Sequence, residues 1–561
     1  MQSKPEQHSY ELRTGVTGHR NLTDEKPVAE AVERLIAYLN RMFIKEEDIL
    51  VKWTVISPLA KGADRMVARS ILKLPNSRLQ VMLPFALDEY RKDFTEPADR
   101  VEFEELFKVA SDEQTGSQER LEEFSQDQRN AKYLLVGKQV VDACEILIAV
   151  WDGKPSKGEG GTTDIVSYAL KWGRPILRID PDNPSSPATL LVSPKNGGKS
   201  KNDKPPYEEH PLPDAVKKLS MNYVHFAEFV RDGSLTKERF EIAASACSDE
   251  LTKAAKRAAL PDSLLGPVLD NFIPTYVRAD QLAVHYQKMH VRASKAIHIL
   301  AAVAVTVAVF QNIFLPHDLW IISFELCAMA GVLVALWICR QLSWHEKWID
   351  YRFLAEQLRT IMYTIVVQEN PVSGSNTATQ TLPFYNKPKN WIDFLIVTQV
   401  KNVLTRVKTP ALEEVKTFVI DGWLTDQKNW HLKNAKRKKH AEHKLHRAVF
   451  ALFCVTLAMA VLHFLKIGHG TVIGSLGTFL AITLPAWGAA IHAIGKQLEY
   501  ERIAARSNKM AAELERLEEY AKQSTTLEEL RTIVQQAIQT VNLETFEWWA
   551  LISFNSAELV A

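Results

Sequence analysis

Short apolar runs alternate with amphipathic stretches from the start of the chain to Asp180. "LRTGVTG" reads as a strand entering a turn, and "PVAEAVERLIAYLNRMF" puts Val28, Val32, Leu35, Ile36 and Leu39 on one helical face. "LVKWTVISPL" is a strand, "GADRMVARSILKL" a helix and "RLQVMLPF" a strand again. A charged stretch from Asp88 to about Glu123 reads as helical. "EILIAVWDG" is a strongly apolar strand, "TTDIVSYALKWG" a helix closed by Gly173, and "RPILRID" a last strand. Strands alternating with helices predict an α/β domain over residues 1–183, a parallel sheet with helices on both faces. The unbroken apolar run Ile146 to Val150 fits burial from both sides.

At Pro181 the alternation stops. "SPKNGGKSKNDKPPYEEHPLP" is rich in Gly, Pro, Lys and Asn, and predicts a flexible linker over 184–215. Helical patterns dominate from about Asp214. Four segments are apolar throughout: roughly Ala296 to Leu315, Leu319 to Cys339, Ala448 to Leu465 and Thr471 to Ile494. Each approaches or reaches the ~20 residues that cross a bilayer as a helix. "PHD" and "KIGHG" join them in pairs, and such short connections predict two antiparallel hairpins. Basic residues flank the opposite ends: Arg292, Lys295 and Arg340 at the first pair; "KRKKH", Lys444, Arg447 and Lys496 at the second. Positive charge stays inside, which predicts a multi-pass inner-membrane protein with both termini and the middle segment in the cytoplasm. The competing reading is a large soluble bundle with four buried helices. The second half thus divides into a helical connector (216–290), a first transmembrane hairpin with its cytoplasmic helix (291–360), a cytoplasmic helical segment (361–445) and a second hairpin with C-terminal helices (446–561). A faint repeat supports two copies of one module: "WIDYRFLAEQLR" follows the first hairpin and "QLEYERIAARSN" the second, with Asp350-Tyr351 opposite Glu499-Tyr500.

Composition narrows the function. Lys and Arg number 68 against 67 Asp and Glu, so the basic excess of a general nucleic-acid binder is missing, and no nucleic-acid partner is expected. The five cysteines show no CxxC spacing, which argues against a disulfide framework or a metal site and for a reducing compartment. Met1 to Tyr10 has no apolar core of a secretory signal, so the first domain is expected in the cytoplasm.

Candidate chemistry gathers at glycine-bearing turns after strands. In a parallel sheet, ligands bind beyond the carboxyl ends of the strands. "GVTGHR" offers Gly15 and Gly18 for close backbone approach, the Thr17 hydroxyl, and His19 and Arg20 as donors. "SPLAKGADR" places Ser57, Gly62 and Asp64 between a strand and a helix. "WDGKPSKGEGGTTD" places Asp152, Gly160, Gly161, Thr162 and Thr163 likewise. Free amides at the following helix starts suit an anion. One such turn is weak evidence; three at one sheet edge predict a composite pocket for a phosphorylated ligand. Among the spanning segments, Glu325 is a carboxylate at membrane depth near the Trp320 boundary, a functional candidate by default. Pro485 can kink the fourth segment and free a carbonyl. Trp348, Arg352, Glu356 and Arg359 share one helix face, read as a salt-bridged structural helix, and "KRKKH" as an anchor to anionic lipid.

The stations "GVTGHRNL", "SPLAKGADRMVA", "VMLPF", "VWDGKPSKGEGGTTDIVSYA" and "RPILRID", in order over about residues 10–181, resemble the SLOG family, relatives of the LOG and DprA Rossmann-like domains. The resemblance implies a Rossmann-like fold that binds a nucleotide or nucleotide-derived signal, with Gly18, His19, Arg20, Gly62, Asp64, Gly160, Gly161 and Thr162 at the pocket. Pro58 departs from the family, where glycine is more usual. Enzymatic LOG members carry a PGGxGTxxE pattern and cleave a base from a nucleoside monophosphate. Here Ile165 stands at the glutamate position and only Asp164 offers a carboxylate nearby. "RADQLAVHYQKMHVRASKA", "WHEKWIDYRFLAEQLR", "EYERIAARSNKM" and "EWW", over about 275–555, resemble the SLATT families, SMODS and SLOG-associating two-transmembrane effectors. That resemblance implies a membrane effector of bacterial antiphage conflict that forms pores. The expectation is therefore a homo-oligomeric effector triggered by a nucleotide second messenger, with the lipid bilayer as partner, no catalytic residue, no metal and no cofactor. The rivals are a membrane-anchored LOG-like nucleotide phosphoribohydrolase and a constitutive channel or transporter with a structural SLOG domain.

Overall fold

A computed structural model describes residues 8–44, 49–115, 125–155, 160–193, 207–367, 391–392, 395–396, 399–400, 411–465, 467–468 and 470–553. The chain divides into two compact units, one ending at Asp232 and one beginning at Gly233.

The first unit is built on β1 (His8–Gly18), β2 (Ile49–Ser57), β3 (Ser77–Leu83), β4 (Ala110–Thr115), β5 (Ile146–Val150), β6 (Ile176–Ile179), β7 (Thr189–Val192) and β8 (Glu208–Pro211). These form one eight-stranded sheet in the order β4-β3-β2-β1-β5-β6-β7-β8. The strands from β4 across to β6 are parallel, and β7 and β8 are antiparallel. The chain lays β2, β3 and β4 outward on one side of β1, then returns to place β5 on the other. The sheet order reverses at the β1/β5 boundary, where open α/β sheets leave a crevice at the carboxyl ends of the strands.

Helices α1 (Glu25–Ile44), α2 (Ala63–Leu72), α3 (Leu87–Tyr90), α4 (Pro97–Lys108), α5 (Gln126–Ala143), α6 (Thr162–Lys171) and α7 (Met221–Arg231) complete the unit. Leu147, Ala149 and Trp151 pack with Val136 and Val140 of α5 and Ile165 and Val166 of α6. Gly137 lets α5 and α6 approach closely, since a Cβ there would lie 2.3 Å from Ile165 Cδ1. The α/β expectation holds, with three differences. The sheet is mixed rather than wholly parallel. β4 falls inside the stretch expected as helix from Asp88 to Glu123; it is an edge strand whose sequence, "ASDEQT", is polar and so lacks the apolar alternation that marks a strand. β7 and β8 fall inside 184–215, expected as linker, and α7 packs on the sheet beyond it: Tyr223 meets Tyr10 and Phe43 edge-on at 5.1 and 5.2 Å.

The second unit is helical. α8 (Lys237–Arg257) leads to α9 (Asp262–Phe314), one continuous helix that runs through the expected connector into the first apolar segment despite Pro267 and Pro274. α10 (Ile322–Gln341) packs back on α9, and α11 (Trp344–Thr364) continues down it. α12 (Leu412–Val419) passes through a π-helical turn, Ile420–Leu424, into α13 (Thr425–Phe464). α14 (Val472–Gln497) packs on α13, α15 (Tyr500–Gln523) continues along it, and α16 (Leu527–Ser553) packs on α11 and α15. Four helical stretches are long and apolar enough to span a membrane, and between 0 and 17% of their most apolar windows is buried inside the protein. Phe324, Leu333, Trp337, Phe450, Phe453 and Phe464 stand exposed along them. Helices of a soluble bundle would bury such side chains, so the exposure fits lipid as their solvent.

The repeat is real in the backbone but sits in another register. Ser343 precedes α11 at φ 48°, ψ 35°, and Glu499 precedes α15 at φ 48°, ψ 36°. The same Gln-Leu dipeptide stands before each, Gln341-Leu342 and Gln497-Leu498. Ser343 therefore matches Glu499, one heptad away from the pairing read between Asp350 and Glu499. A seven-residue slip rotates a helix face by only ~20°, so two charged amphipathic helices resemble each other in both registers.

Candidate functional site

The end of β1 brings the first two turns together. The His19 amide donates to the Val150 carbonyl (3.1 Å), joining the turn to β5, and the Ala63 amide donates to the His19 carbonyl (3.2 Å), joining it to α2. Gly18 lies under this crossing: a Cβ would stand 2.5 Å from Ala63 Cβ and 2.9 Å from the Val150 carbonyl oxygen. Gly62 caps α2 at φ +83°, where a side chain would meet the carbonyls of His19 and Arg20 at 2.7 and 2.5 Å.

Around this crossing opens a cavity of about 670 Å³. Thr17, Gly18, His19, Arg20, Asp64, Asp152, Gly160, Gly161, Thr162 and Thr163 all line it. Gly15, Ser57 and Gly62 do not. Gly15 sits against Cys144 and Val140, where it permits contact between β1 and α5. The Ser57 hydroxyl accepts from the Leu59 amide (3.0 Å) inside its own turn, and Gly62 shapes the wall from behind.

Local hydrogen bonds define what each side chain can do. His19 Nε2 lies 3.2 Å from Asp152 Oδ1 and 3.3 Å from the Asp152 amide. A protonated ring donates to the carboxylate; a neutral one accepts from the amide. Asp152 also accepts from the Lys154 amide (3.0 Å) and pairs with its ammonium (3.1 Å). Burial alone would raise the Asp152 carboxyl, but Lys154 and His19 outweigh it and hold the group below its usual value. Asp64 differs: burial pushes it up to about 7 against the pull of Arg20 and of the Ala60 amide. Arg20 lies over the Tyr133 ring at 4.5 Å. Thr163 is occupied, accepting from the Trp151 indole (3.1 Å) and donating to the Lys154 carbonyl (2.7 Å). Gly161 caps α6 with no side-chain hydrogen bond; the Asp164 amide donates back to the Gly161 carbonyl (3.0 Å), which leaves the Thr162 and Thr163 amides at the cavity.

α5 is the wall that motif reading missed. Gln126, Asn130, Tyr133 and Gly137 line the cavity from it, together with Tyr90, Lys154 and Asp182 from loops and a short helix. The α5 residues recur at intervals of four, three and four, a polar and small stripe on one helix face that could have been read. Asp164, the carboxylate weighed for base release, accepts from the Gly160 amide (2.9 Å) and is outside the cavity lining.

In the second unit, Glu325 lies in the first turn of α10, half-buried and without an ion pair among the described residues. Pro485 lies exposed inside α14, which continues through it. Polar contacts join the hairpins: Trp487 Nε1 donates to Thr306 Oγ1 (3.1 Å), and Gln497 Oε1 meets Ser294 and, at 3.1 Å, His298. The charged face of α11 is salt-bridged as expected, Arg352 to Glu356 and Arg359 to Asp426 (2.9 Å). Among the described residues no cluster of His, Cys, Asp and Glu has the makings of a metal site.

Residues 274–388 match the family described as SMODS and SLOG-associating 2TM effector domain 3, SLATT_3. The match spans about a fifth of the chain, covering part of α9, α10 and α11. It supports a SLATT membrane module, and with the four apolar helices it supports a place in the membrane as an effector of conflict systems. The mixed, mainly parallel sheet of the first unit is compatible with a Rossmann-like fold. No curated protein matches the chain.

Proposed function

We propose that the first unit is a SLOG-type receptor for a nucleotide-derived second messenger, and that its occupancy shifts the spanning helices of an inner-membrane effector from a closed to an open packing. The observation that carries this reading is convergence. Three turns far apart in sequence, ending β1, β2 and β5, meet at one cavity where the strand order reverses. Arg20, the first turn of α6 and the Tyr133 ring supply a cation, free amides and an aromatic wall, the parts that a phosphorylated base requires. Asp164, the carboxylate weighed for base release, is spent on the Gly160 turn and lies outside the cavity lining, which favours binding over hydrolysis.

In this reading both termini face the cytoplasm and copies of the chain assemble when the ligand binds. A ligand moves such an equilibrium only through its differential affinity for the two packings. The test is membrane depolarisation in cells that make the inducing signal. Arg20→Ala removes the phosphate partner and leaves the spanning helices untouched, so the variant should insert normally and stay silent. Depolarisation equal to that of the parent would instead make the channel constitutive and the first unit merely structural.

A further inference from the structure

The second unit encloses a cavity of its own, about 270 Å³, away from the spanning segments. Its walls come from α9, α11, α13, α15 and α16, so both hairpin modules contribute to it. Three indoles face it: Trp348, Trp430 and Trp548.

The charges around it are unevenly matched. Arg352 is held by Asp280 (3.3 Å) and Glu356, Arg359 by Asp426 (2.9 Å), and Arg506 by Glu547 (3.4 Å). Two neighbouring cations on α13 are left over. Arg437 donates to the Asn434 amide oxygen (2.9 Å), and the Lys438 ammonium stands 5.0 Å from the centre of the Tyr500 ring. Neither forms a salt bridge among the described residues. Burial, and then the adjacent guanidinium, push the Lys438 ammonium down. Arg437 is exposed and Lys438 half-buried, and an anion held by both would offset the repulsion between them. About two turns away on α13, His431 is 6% exposed and its Nδ1 has no hydrogen-bond partner. A buried polar atom left unmatched is destabilising, and a bound group can satisfy it. The carboxyl of Glu544 on the opposite wall is raised by burial to about 7, so it opposes an anion least at and below neutral pH.

We propose that this cavity is a second ligand site, for a phosphate-bearing aromatic of mononucleotide class. Arg437 and Lys438 take the phosphate, His431 makes a hydrogen bond, and the indoles stack on the ring. Because α9 and α11 belong to one hairpin module and α13 and α15 to the other, an occupant ties the two together outside the membrane. The site does not depend on the cavity of the first unit.

The test uses the full chain in detergent carrying Arg20→Ala and Gly161→Val, which disable the first cavity. Radiolabelled AMP in equilibrium dialysis should still bind, saturating at one per chain. The additional pair Arg437→Gln and Lys438→Gln should weaken that binding at least ten-fold, and Lys438→Arg alone should preserve it. Inorganic phosphate should compete much less well than AMP. The inference is overturned if the chain disabled in its first cavity binds no AMP, if the glutamine pair leaves binding unchanged, or if phosphate competes as well as AMP. AMP bound by the disabled chain but depolarisation unaffected by Arg20→Ala would sink the receptor reading and leave this one standing.

Discussion

Glycine serves opposite ends at the turns of the first unit and on the spanning helix α14. In the first it is enforced by neighbours: a methyl group at Gly18 would collide with Ala63 and with the Val150 carbonyl, and one at Gly160 would reach the Asn130 carbonyl oxygen at 2.7 Å. In the spanning helix α14, a Cβ at Gly477 or Gly488 meets nothing within 4 Å. The first unit folds by hiding apolar surface, so its interior is full and small residues there are answers to crowding. The second displays apolar surface, so glycine on its outer face is answerable only to lipid or to another molecule.

The largest test of that contrast is Gly18→Val. The β-branched side chain has no room between α2 and β5, and overpacking of this kind costs about 3 kcal/mol. The melting transition of the first unit in the purified full chain should fall by several degrees, and nucleotide binding should be lost with it. An unchanged melt would mean that the crossing of turns at Gly18 is loose.

Asp64 sharpens the electrostatic side. Its folded carboxyl sits at about 7, above its ordinary value, so the folded state keeps a proton that the unfolded chain has released. Its contribution is then most favourable at low pH, declines as pH rises through the interval from about 4 to about 7, and levels off beyond. Deprotonation also adds a negative charge to the cavity beside Arg20. Binding of cyclic AMP, whose phosphodiester does not titrate there, should weaken as pH rises from 6 to 8, and Asp64→Asn should flatten that profile. A slope that survives the substitution would rule out Asp64 as its source.

A smaller effect is expected at the two matched kinks of the second unit. Ser343 and Glu499 both hold left-handed backbone at φ 48°. That conformation costs an L-residue roughly 1 kcal/mol, which glycine avoids. Ser343→Gly and Glu499→Gly should each stabilise the second unit slightly in thermal unfolding, and by similar amounts if the repeat register is correct. Stabilisation at one kink and loss at the other would break the equivalence of the modules.

Much of this was legible in the sequence, for reasons that differ by element. Ile146 to Val150 and the apolar segments announced themselves because each is surrounded on all sides by one kind of solvent, protein or lipid. The turns at Gly18, Gly62 and Gly160 were legible because each follows a strand and leads toward a helix, and the fold supplies a steric need for glycine in each case. β4 was not, because the sequence of this edge strand, "ASDEQT", carries no apolar alternation; nor were β7 and β8, which follow a Pro-rich stretch and add to the sheet by antiparallel pairing. Tyr133 and Asn130 were missed because no glycine directly precedes their helix, although their spacing places them on one face. The cavity in the second unit was invisible for a stronger reason: its walls come from five helices whose packing no local pattern encodes.

The smallest effect is the one that best tests the contrast. Gly488 faces open space, and a methyl group added on a lipid-facing helix replaces lipid contact with protein surface of the same polarity. In the isolated chain Gly488→Ala should therefore cost no stability, and helix propensity should favour the alanine by up to about 1 kcal/mol. The measurement is thermal unfolding in detergent beside depolarisation in cells. An undiminished melt with intact depolarisation keeps the outer face of α14 in lipid throughout. An undiminished melt with depolarisation lost would mean that another copy of the chain closes on Gly488 in the active assembly, because the added methyl group then collides only where the single chain leaves space.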